Sequence, residues 1–197
     1  MNTELEPQLA PPGAGLPALE LFIGRMLFAL RRRTGDRDSF HAHFQNERAK
    51  IRGLVGRFDP EAAARRVLIR RPRGLEDSSR HWSVWMTLDH LRIVNAQIGQ
   101  VIAALAQGTI PARTASTAAV KPSPEADAAV AERYEQACDE LLATVAGIDD
   151  LETGLRFAHP WFGPLNAAAW HALAGGHMGL HRVQLERMLE VVEKSPT

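Results

Sequence analysis

Apolar residues recur at intervals of three and four positions in five long stretches of this chain, whereas the alternating pattern of a half-buried strand is nearly absent. This spacing places the apolar side chains on one face of an α-helix. The five stretches therefore predict an all-α fold, a bundle with an extra helix at the N-terminus. The first stretch has the most regular spacing and contains Leu19, Phe22, Ile23, Met26, Leu27 and Leu30.

Polar residues mark the boundary between the first two predicted helices. Thr34-Gly35-Asp36 is expected to end the first helix, because glycine is unfavourable inside a helix. Asp38 or Ser39 then offers a side chain that would cap the second helix. The apolar stripe of that second helix runs from Phe40 to Phe58.

The remaining three helices are delimited by similar signals. The third is predicted to begin after Asp77-Ser78-Ser79 and to continue to about Ala106. The fourth is predicted to begin at Ser123-Pro124-Glu125, where a capping serine precedes a proline and an acid in the first turn. The fifth is predicted to run from about Asn166 to Val192.

Three long connections, 59–77, 107–122 and 148–165, separate the predicted helices. Connections of this length are uncommon in simple up-and-down bundles, and they often cross the bundle or carry function. Val67-Leu68-Ile69 is predicted to be extended and lies in an Arg-rich connection. This connection would either hold an anionic ligand or form a solvated basic loop. Its arginines are Arg65, Arg66, Arg70, Arg71 and Arg73.

Composition indicates a soluble, cytoplasmic protein. The chain has 23 basic and 23 acidic side chains, so its zero net charge predicts affinity for neither nucleic acid nor anionic membranes. The apolar stretch from Leu19 to Leu30 is too short to span a bilayer, and the first residues, MNTELEPQ, do not resemble a secretory signal. A single cysteine, Cys138, leaves no cysteine-based metal motif.

His177 and His181 lie near the centre of the apolar face predicted for the last helix. Residues four apart on a helix are neighbours, so their imidazoles can share one cation. Two hydrogen-bonded core histidines would give the same spacing, since buried polar groups need partners. Gln184, on the same face, is a candidate partner for a ligand histidine. The preceding Gly175-Gly176 is expected either to permit close helix packing or to leave space beside the metal.

A third ligand would come from another helix, and His90 is the best candidate. It lies at the margin of the apolar side of the third predicted helix. A packing or surface role explains this placement equally well. The remaining histidines fit a metal site less well, because they lie off the centre of an apolar face or in or near loops; they are His41, His43, His81, His159 and His171.

Glu47 falls between Phe44 and Ile51, within the apolar stripe of the second predicted helix. Burying a carboxylate there is costly without a cation or hydrogen-bond donors. Pairing with Arg48, or reaching out to solvent, would avoid this cost. Alternatively, Glu47 would support a ligand histidine or act as a general base near the metal, and it is the candidate catalytic residue.

Two motifs together resemble the DinB-like superfamily of four-helix-bundle metalloproteins. One is the segment His159-Pro160-Trp161-Phe162-Gly163-Pro164-Leu165, and the other is the His177-xxx-His181 pair combined with His90 on a separate helix. The resemblance covers about 39–192 and implies an up-down-down-up bundle. It divides the chain into an N-terminal tail and extra helix (1–38), the bundle (39–192) and a C-terminal tail (193–197).

The resemblance also implies a divalent cation held by His90, His177 and His181. Imidazole ligands suit zinc or nickel, and also iron. Related proteins include thiol-dependent S-transferases, so the implied function is metal-dependent thiol transfer, or hydrolysis, on a small electrophile. The implied partner is a small-molecule substrate, such as a low-molecular-weight thiol. Independently of the resemblance, the amphipathic N-terminal helix is suited to packing against a second subunit, which would make the protein a homodimer. The alternative is a non-catalytic stress-associated or ligand-binding bundle with a structural or incidental metal.

Overall fold

The computed structural model describes residues 7–194, in which six α-helices and two short antiparallel ribbons form the regular structure. The all-α prediction is therefore confirmed. The first six residues and residues 195–197 of the predicted C-terminal tail lie outside the described part. In chain order the elements are α1 (Ala18–Thr34), α2 (Arg37–Val55), α3 (Pro60–Ala64), β1 (Val67–Leu68), β2 (His81–Trp82), α4 (Val84–Ala106), α5 (Val130–Ala146), β3 (Phe157–His159), β4 (Gly163–Leu165) and α6 (Ala167–Lys194).

The bundle consists of α2, α4, α5 and α6, and its helices associate as two parallel pairs. In the first pair, α2 and α6, His43 lies against Gly175 and Glu47 lies against Gly179. In the second pair, α4 and α5, the Asn95 amide lies 3.4 Å from the sulfur of Cys138, and a Cβ on Gly99 would lie 3.8 Å from the Cα of Leu141. Because the contacts advance along both helices of each pair together, the two helices of each pair run in the same direction.

The two pairs run in opposite directions. Arg37, at the start of α2, donates a hydrogen bond to the carbonyl of Asp149, just beyond the end of α5. Arg48, later in α2, pairs with Glu135 near the beginning of α5. The topology is therefore up-down-down-up, as the resemblance implied. A parallel α4–α5 pair needs a long crossover, which residues 107–129 provide.

Two helices begin differently from the prediction. The cap of α2 is Asp36 rather than Asp38 or Ser39. The Asp36 carboxylate accepts the Ser39 N–H, and the Ser39 hydroxyl accepts the Asp36 N–H. These two bonds form a capping box, in which Asp36 is the cap and Ser39 is the third residue of the helix. The cap of α4 is Ser83, whose hydroxyl accepts the Met86 N–H.

The predicted start of the fourth helix at Ser123 is wrong, because α5 begins at Val130. The Ser123 N–H donates to the carboxylate of Asp89, which ties this segment to α4. The Ser123 hydroxyl accepts the Glu125 N–H, and a carboxylate oxygen of Asp127 accepts the Ala129 N–H. These side chains satisfy the backbone in turns, so the segment does not need to be helical.

The connection between α2 and α4 is partly ordered by the ribbon β1–β2. Val67 pairs with Trp82 and Leu68 with His81 in antiparallel register, so the predicted extended segment is a strand. The ribbon places the Trp82 indole beside α4 and α6. Within residues 7–194, no helix is long and apolar enough to cross a membrane.

The extra helix α1 packs on the outside of the bundle. Phe28 lies 4.7 Å from Phe162 between ring centroids, and the Arg25 guanidinium donates to the Trp161 carbonyl at 2.6 Å. Glu20 accepts hydrogen bonds from Arg71 and from the Gly74 N–H. α1 therefore contacts both the β3–β4 ribbon and the Arg-rich connection.

Candidate metal centre

The three histidines predicted to bind a metal lie together between α4 and α6. One ring nitrogen from each of His90, His177 and His181 lies within 4.8 Å of the other two. The Nε2 atoms of His90 and His177 are 3.2 Å apart. His177 and His181 lie one helical turn apart, with ring centroids separated by 4.6 Å. The structure therefore brings all three predicted ligands into one cluster.

Hydrogen bonds on the far side of two rings orient them towards the cluster. The Nδ1 of His90 lies 2.6 Å from the Val120 carbonyl, and the Nδ1 of His181 lies 2.6 Å from the amide oxygen of Gln184. Both acceptors require a proton on Nδ1, which leaves the Nε2 lone pair for a cation. Gln184 in turn donates to the Ser79 carbonyl at 2.7 Å. Gln184 thus contacts a candidate ligand, as predicted.

Burial keeps the cluster uncharged. It lowers the pKa of His90 to about 4. It also lowers the pKa values of His177 and His181 well below the usual histidine value, and repulsion from the neighbouring imidazoles adds to this. Neutral imidazole is the form that binds metals. The buried Nδ1 of His177 has no hydrogen-bond partner among residues 7–194. Three converging neutral imidazoles therefore fit a divalent cation.

The cluster opens onto a cavity of about 120 Å³. Three protein ligands leave coordination positions free, as in catalytic metal sites. Most of the lining is apolar or aromatic, including Val94, Ile98, Phe157, Trp161, Trp170 and Leu173. Such a cavity suits a small, largely apolar molecule that approaches the open side of the cluster.

Trp82 and Lys121 close one side of the site. The Trp82 ring stacks on His181 at a centroid distance of 6.1 Å, and the Lys121 ammonium lies 5.3 Å from the Trp82 ring. Lys121 also pairs with Glu76 at 3.1 Å. Although burial alone would raise the pKa of Glu76, the hydrogen bond and the charge of Lys121 lower it, so the Glu76 carboxylate is ionised.

His159 also lines the cavity, although the sequence predicted that it lies in or near a loop and fits the site less well. It ends β3, and its Nδ1 accepts the Trp161 N–H at 3.1 Å. Burial lowers the pKa of His159 to about 4, so the ring is neutral and carries its proton on Nε2. Its position in the His-Pro-Trp-Phe-Gly-Pro-Leu segment was the signal that could have assigned His159 to the site.

Glu47 lies on α2 and is not among the residues that line the cavity. Its carboxylate pairs with Arg182 at 2.6 Å and Lys50 at 3.0 Å. Burial alone would raise its pKa, but hydrogen bonds from Lys50 and Arg182 lower it. The expected pairing with Arg48 is wrong, because Arg48 pairs with Glu135 and Asp139 instead. A catalytic role for Glu47 stays a prediction.

The two glycines before His177 have different surroundings. A Cβ on Gly175 would lie 2.5 Å from the Cδ2 of His43, whereas a Cβ on Gly176 would have nothing within 4 Å. Gly175 therefore permits close packing of α6 on α2. Neither glycine lines the cavity beside the histidine cluster.

The cavity's cationic side chains come from the crossover rather than from the Arg-rich connection. Arg113 and Lys121 line the cavity, whereas the five arginines of residues 65–73 do not. Arg71 is bound instead to Glu20 and to the Leu75 carbonyl. The prediction that this connection holds an anionic ligand stays a prediction.

Comparison with known proteins places this site in a family. The model of the DinB superfamily matches residues 43–185, which include all three histidines of the cluster. The crystal structure of TT2238, described as a four-helix bundle protein, superimposes with a TM-score of 0.55 at 22% identity, covering 77% of this chain and 98% of the other. That likeness concerns the fold alone. None of the curated proteins matches significantly.

Proposed function

Since the chain belongs to the DinB superfamily, we propose that it is a metal-dependent enzyme that transfers a thiol, or water, to a small electrophile. The observation that carries the proposal is the convergence of three neutral imidazoles on one wall of a largely apolar cavity. A structural metal is usually closed by four protein ligands, whereas three leave room for a reactant. The ion we propose is zinc or nickel, with iron as a further candidate.

The histidine cluster would hold and orient the cation. Val120 and Gln184 keep the Nε2 atoms of His90 and His181 directed at it. A bound divalent cation supplies Lewis-acid chemistry, because it lowers the pKa of a bound water or thiol to near neutrality. Trp161 and Trp170 lie in the lining, where their apolar rings would limit the access of bulk water.

His159 is the cavity residue best suited to bind the electrophile. Its Nδ1 is occupied by the Trp161 N–H, so its Nε2–H is free to donate a hydrogen bond to an oxygen or leaving group of the substrate. Its low pKa makes it a neutral donor rather than an acid near pH 7. Arg113, also in the lining, offers a positive charge for a carboxylate on the thiol or the electrophile.

The test begins with the metal content of the purified protein after dialysis against trace zinc or nickel. We expect one divalent ion per chain in the wild type and less than one tenth of that in His177→Ala. His171→Leu is the matched control, because His171 is buried on the same helix but is not one of the three clustered residues. Equal metal content in the wild type and His177→Ala would contradict the site.

Catalysis is tested separately with the metal-loaded protein. A panel of low-molecular-weight thiols is assayed for conjugation to an activated aryl halide and an epoxide, with ester hydrolysis measured in parallel. We expect turnover that disappears in His177→Ala and falls in His159→Phe while the metal content of the latter is unchanged. Stoichiometric metal without turnover in any assay would favour the non-catalytic alternative.

A further inference from the structure

The outward face of α1 is an apolar surface with no partner in the described chain. Six large side chains lie along it with 46% to 70% of their surface exposed, and no residue of α1 is buried. They are Leu19, Phe22, Ile23, Met26, Leu27 and Leu30. Monomeric proteins rarely expose a continuous apolar patch of this kind.

The opposite face of α1 is already occupied by the bundle. Leu21, Gly24 and Phe28 are partly buried on that side, and Phe28 packs on Phe162. α1 is therefore apolar on two faces, and only one of them is covered. An apolar helix face is normally covered by another element or another chain.

From this face we infer that the protein is a homodimer in which α1 pairs with α1 of a second copy about a two-fold axis. The exposed residues follow the alternating three- and four-residue spacing that lets two helices interlock. A two-fold interface needs a surface that complements itself, and one straight apolar stripe satisfies this condition. Ile23 and Met26, at the middle of the stripe, would lie nearest the axis.

The area of the stripe is sufficient for a stable dimer. Six side chains of this size with about 60% of their surface exposed offer roughly 650 Å² per protomer, so two copies would bury about 1,300 Å², within the range of standard interfaces. The chain has no net charge, so two copies do not repel each other overall.

The charges of α1 favour a protein partner over an anionic lipid surface. A membrane-binding helix directs basic side chains towards lipid headgroups from the edges of its apolar face. Here Arg25 is bonded to the Trp161 carbonyl, Arg31 lies over the Phe40 ring and Arg32 lies over the Phe28 ring. Three arginines of α1 are thus engaged with the protein's own surface.

Light scattering and sedimentation of the full chain test the dimer. We expect the wild type to have twice the protomer mass of 21.7 kDa and Phe22→Glu to be monomeric at the same concentration. The expected rise in the dimer dissociation constant is at least about 30-fold, as for an interface hot spot. Ile110→Glu is the matched control, because Ile110 is 54% exposed but lies outside α1 and should leave the dimer intact.

Crosslinking provides a test that does not depend on a disruptive charge. Met26→Cys keeps the stripe apolar, and the natural Cys138 is fully buried. We expect mild oxidation to link two Met26→Cys chains covalently, whereas Ile110→Cys chains remain single. A wild type that stays monomeric at 100 µM, or that binds phosphatidylglycerol vesicles as a monomer through α1, would overturn the inference.

Discussion

Helices α1 and α6 have similar apolar spacing but opposite environments. In α6 the stripe faces the core, and Met178, Leu185 and Met188 are completely buried. In α1 the stripe faces outward, with Leu27 62% exposed. Apolar periodicity therefore predicts a helix and the position of its apolar face. It does not predict which surface covers that face, because the covering surface lies elsewhere in the chain or in another chain.

The two faces also differ in their polar residues. The buried side of α6 carries His171, His181 and Gln184, whereas the exposed stripe of α1 carries no polar side chain. Polar groups are tolerated in a core only with partners or a function. His181 and Gln184 bond to each other, and Gln184 also donates to the Ser79 carbonyl. The candidate metal ligands therefore lie on α6, whereas the surface proposed for association is the exposed face of α1.

Truncation of one leucine in the apolar stripe of α6 and one in that of α1 should give the largest difference in stability. We expect Leu185→Ala to lower the free energy of unfolding by about 2–5 kcal/mol, because it removes buried contacts and leaves a cavity. Leu27→Ala should change it by less than about 0.5 kcal/mol at concentrations below the dimer dissociation constant. Urea unfolding monitored by circular dichroism measures both. Equal losses would mean that α1 is covered within the protomer.

Sequence patterns predicted the local elements well and their surroundings less well. The spacing predicted α1 and α6, and the His177–His181 pair with His90 did form a cluster. The pairing of Glu47 with Arg182 depends on the packing of α2 on α6. The two residues are 135 positions apart in the sequence, so no local pattern predicts their contact. For the same reason, the start of α5 was misplaced, because the contact between Ser123 and Asp89 spans 34 residues.

His171 provides a second contrast, because it is a buried polar residue of α6 that lies outside the histidine cluster. In the part of the chain that the structure describes, neither ring nitrogen has a hydrogen-bond partner, and burial lowers the pKa of His171 to about 4. Above pH 6.5 the ring is neutral in both the folded and unfolded states. As the pH falls from 6.5 to 4, the unfolded chain takes up a proton that the folded chain does not, so stability is lost.

We expect His171→Leu to remove this acid sensitivity. A pKa difference of 2.5 between the two states corresponds to a loss of about 3 kcal/mol by pH 4, which the variant should not suffer. Urea unfolding at pH 7.5, 5.5 and 4 measures the difference between wild type and variant, which share the other histidines. Parallel stability curves would show that His171 is protonated equally in both states.

Alanine substitutions at three glycines should give the smallest changes in stability, and they differ in sign. Gly175→Ala is expected to lower stability by about 1 kcal/mol, because a clash with His43 outweighs the gain in helix propensity. Gly176 in α6 and Gly24 in α1 have nothing within 4 Å of an added Cβ, so alanine at either should raise stability by about 0.5–1 kcal/mol. Thermal unfolding of the three variants side by side measures the sign. Stabilisation by Gly175→Ala would show that His43 rotates away at little cost, and that the contact between α2 and α6 does not depend on this glycine.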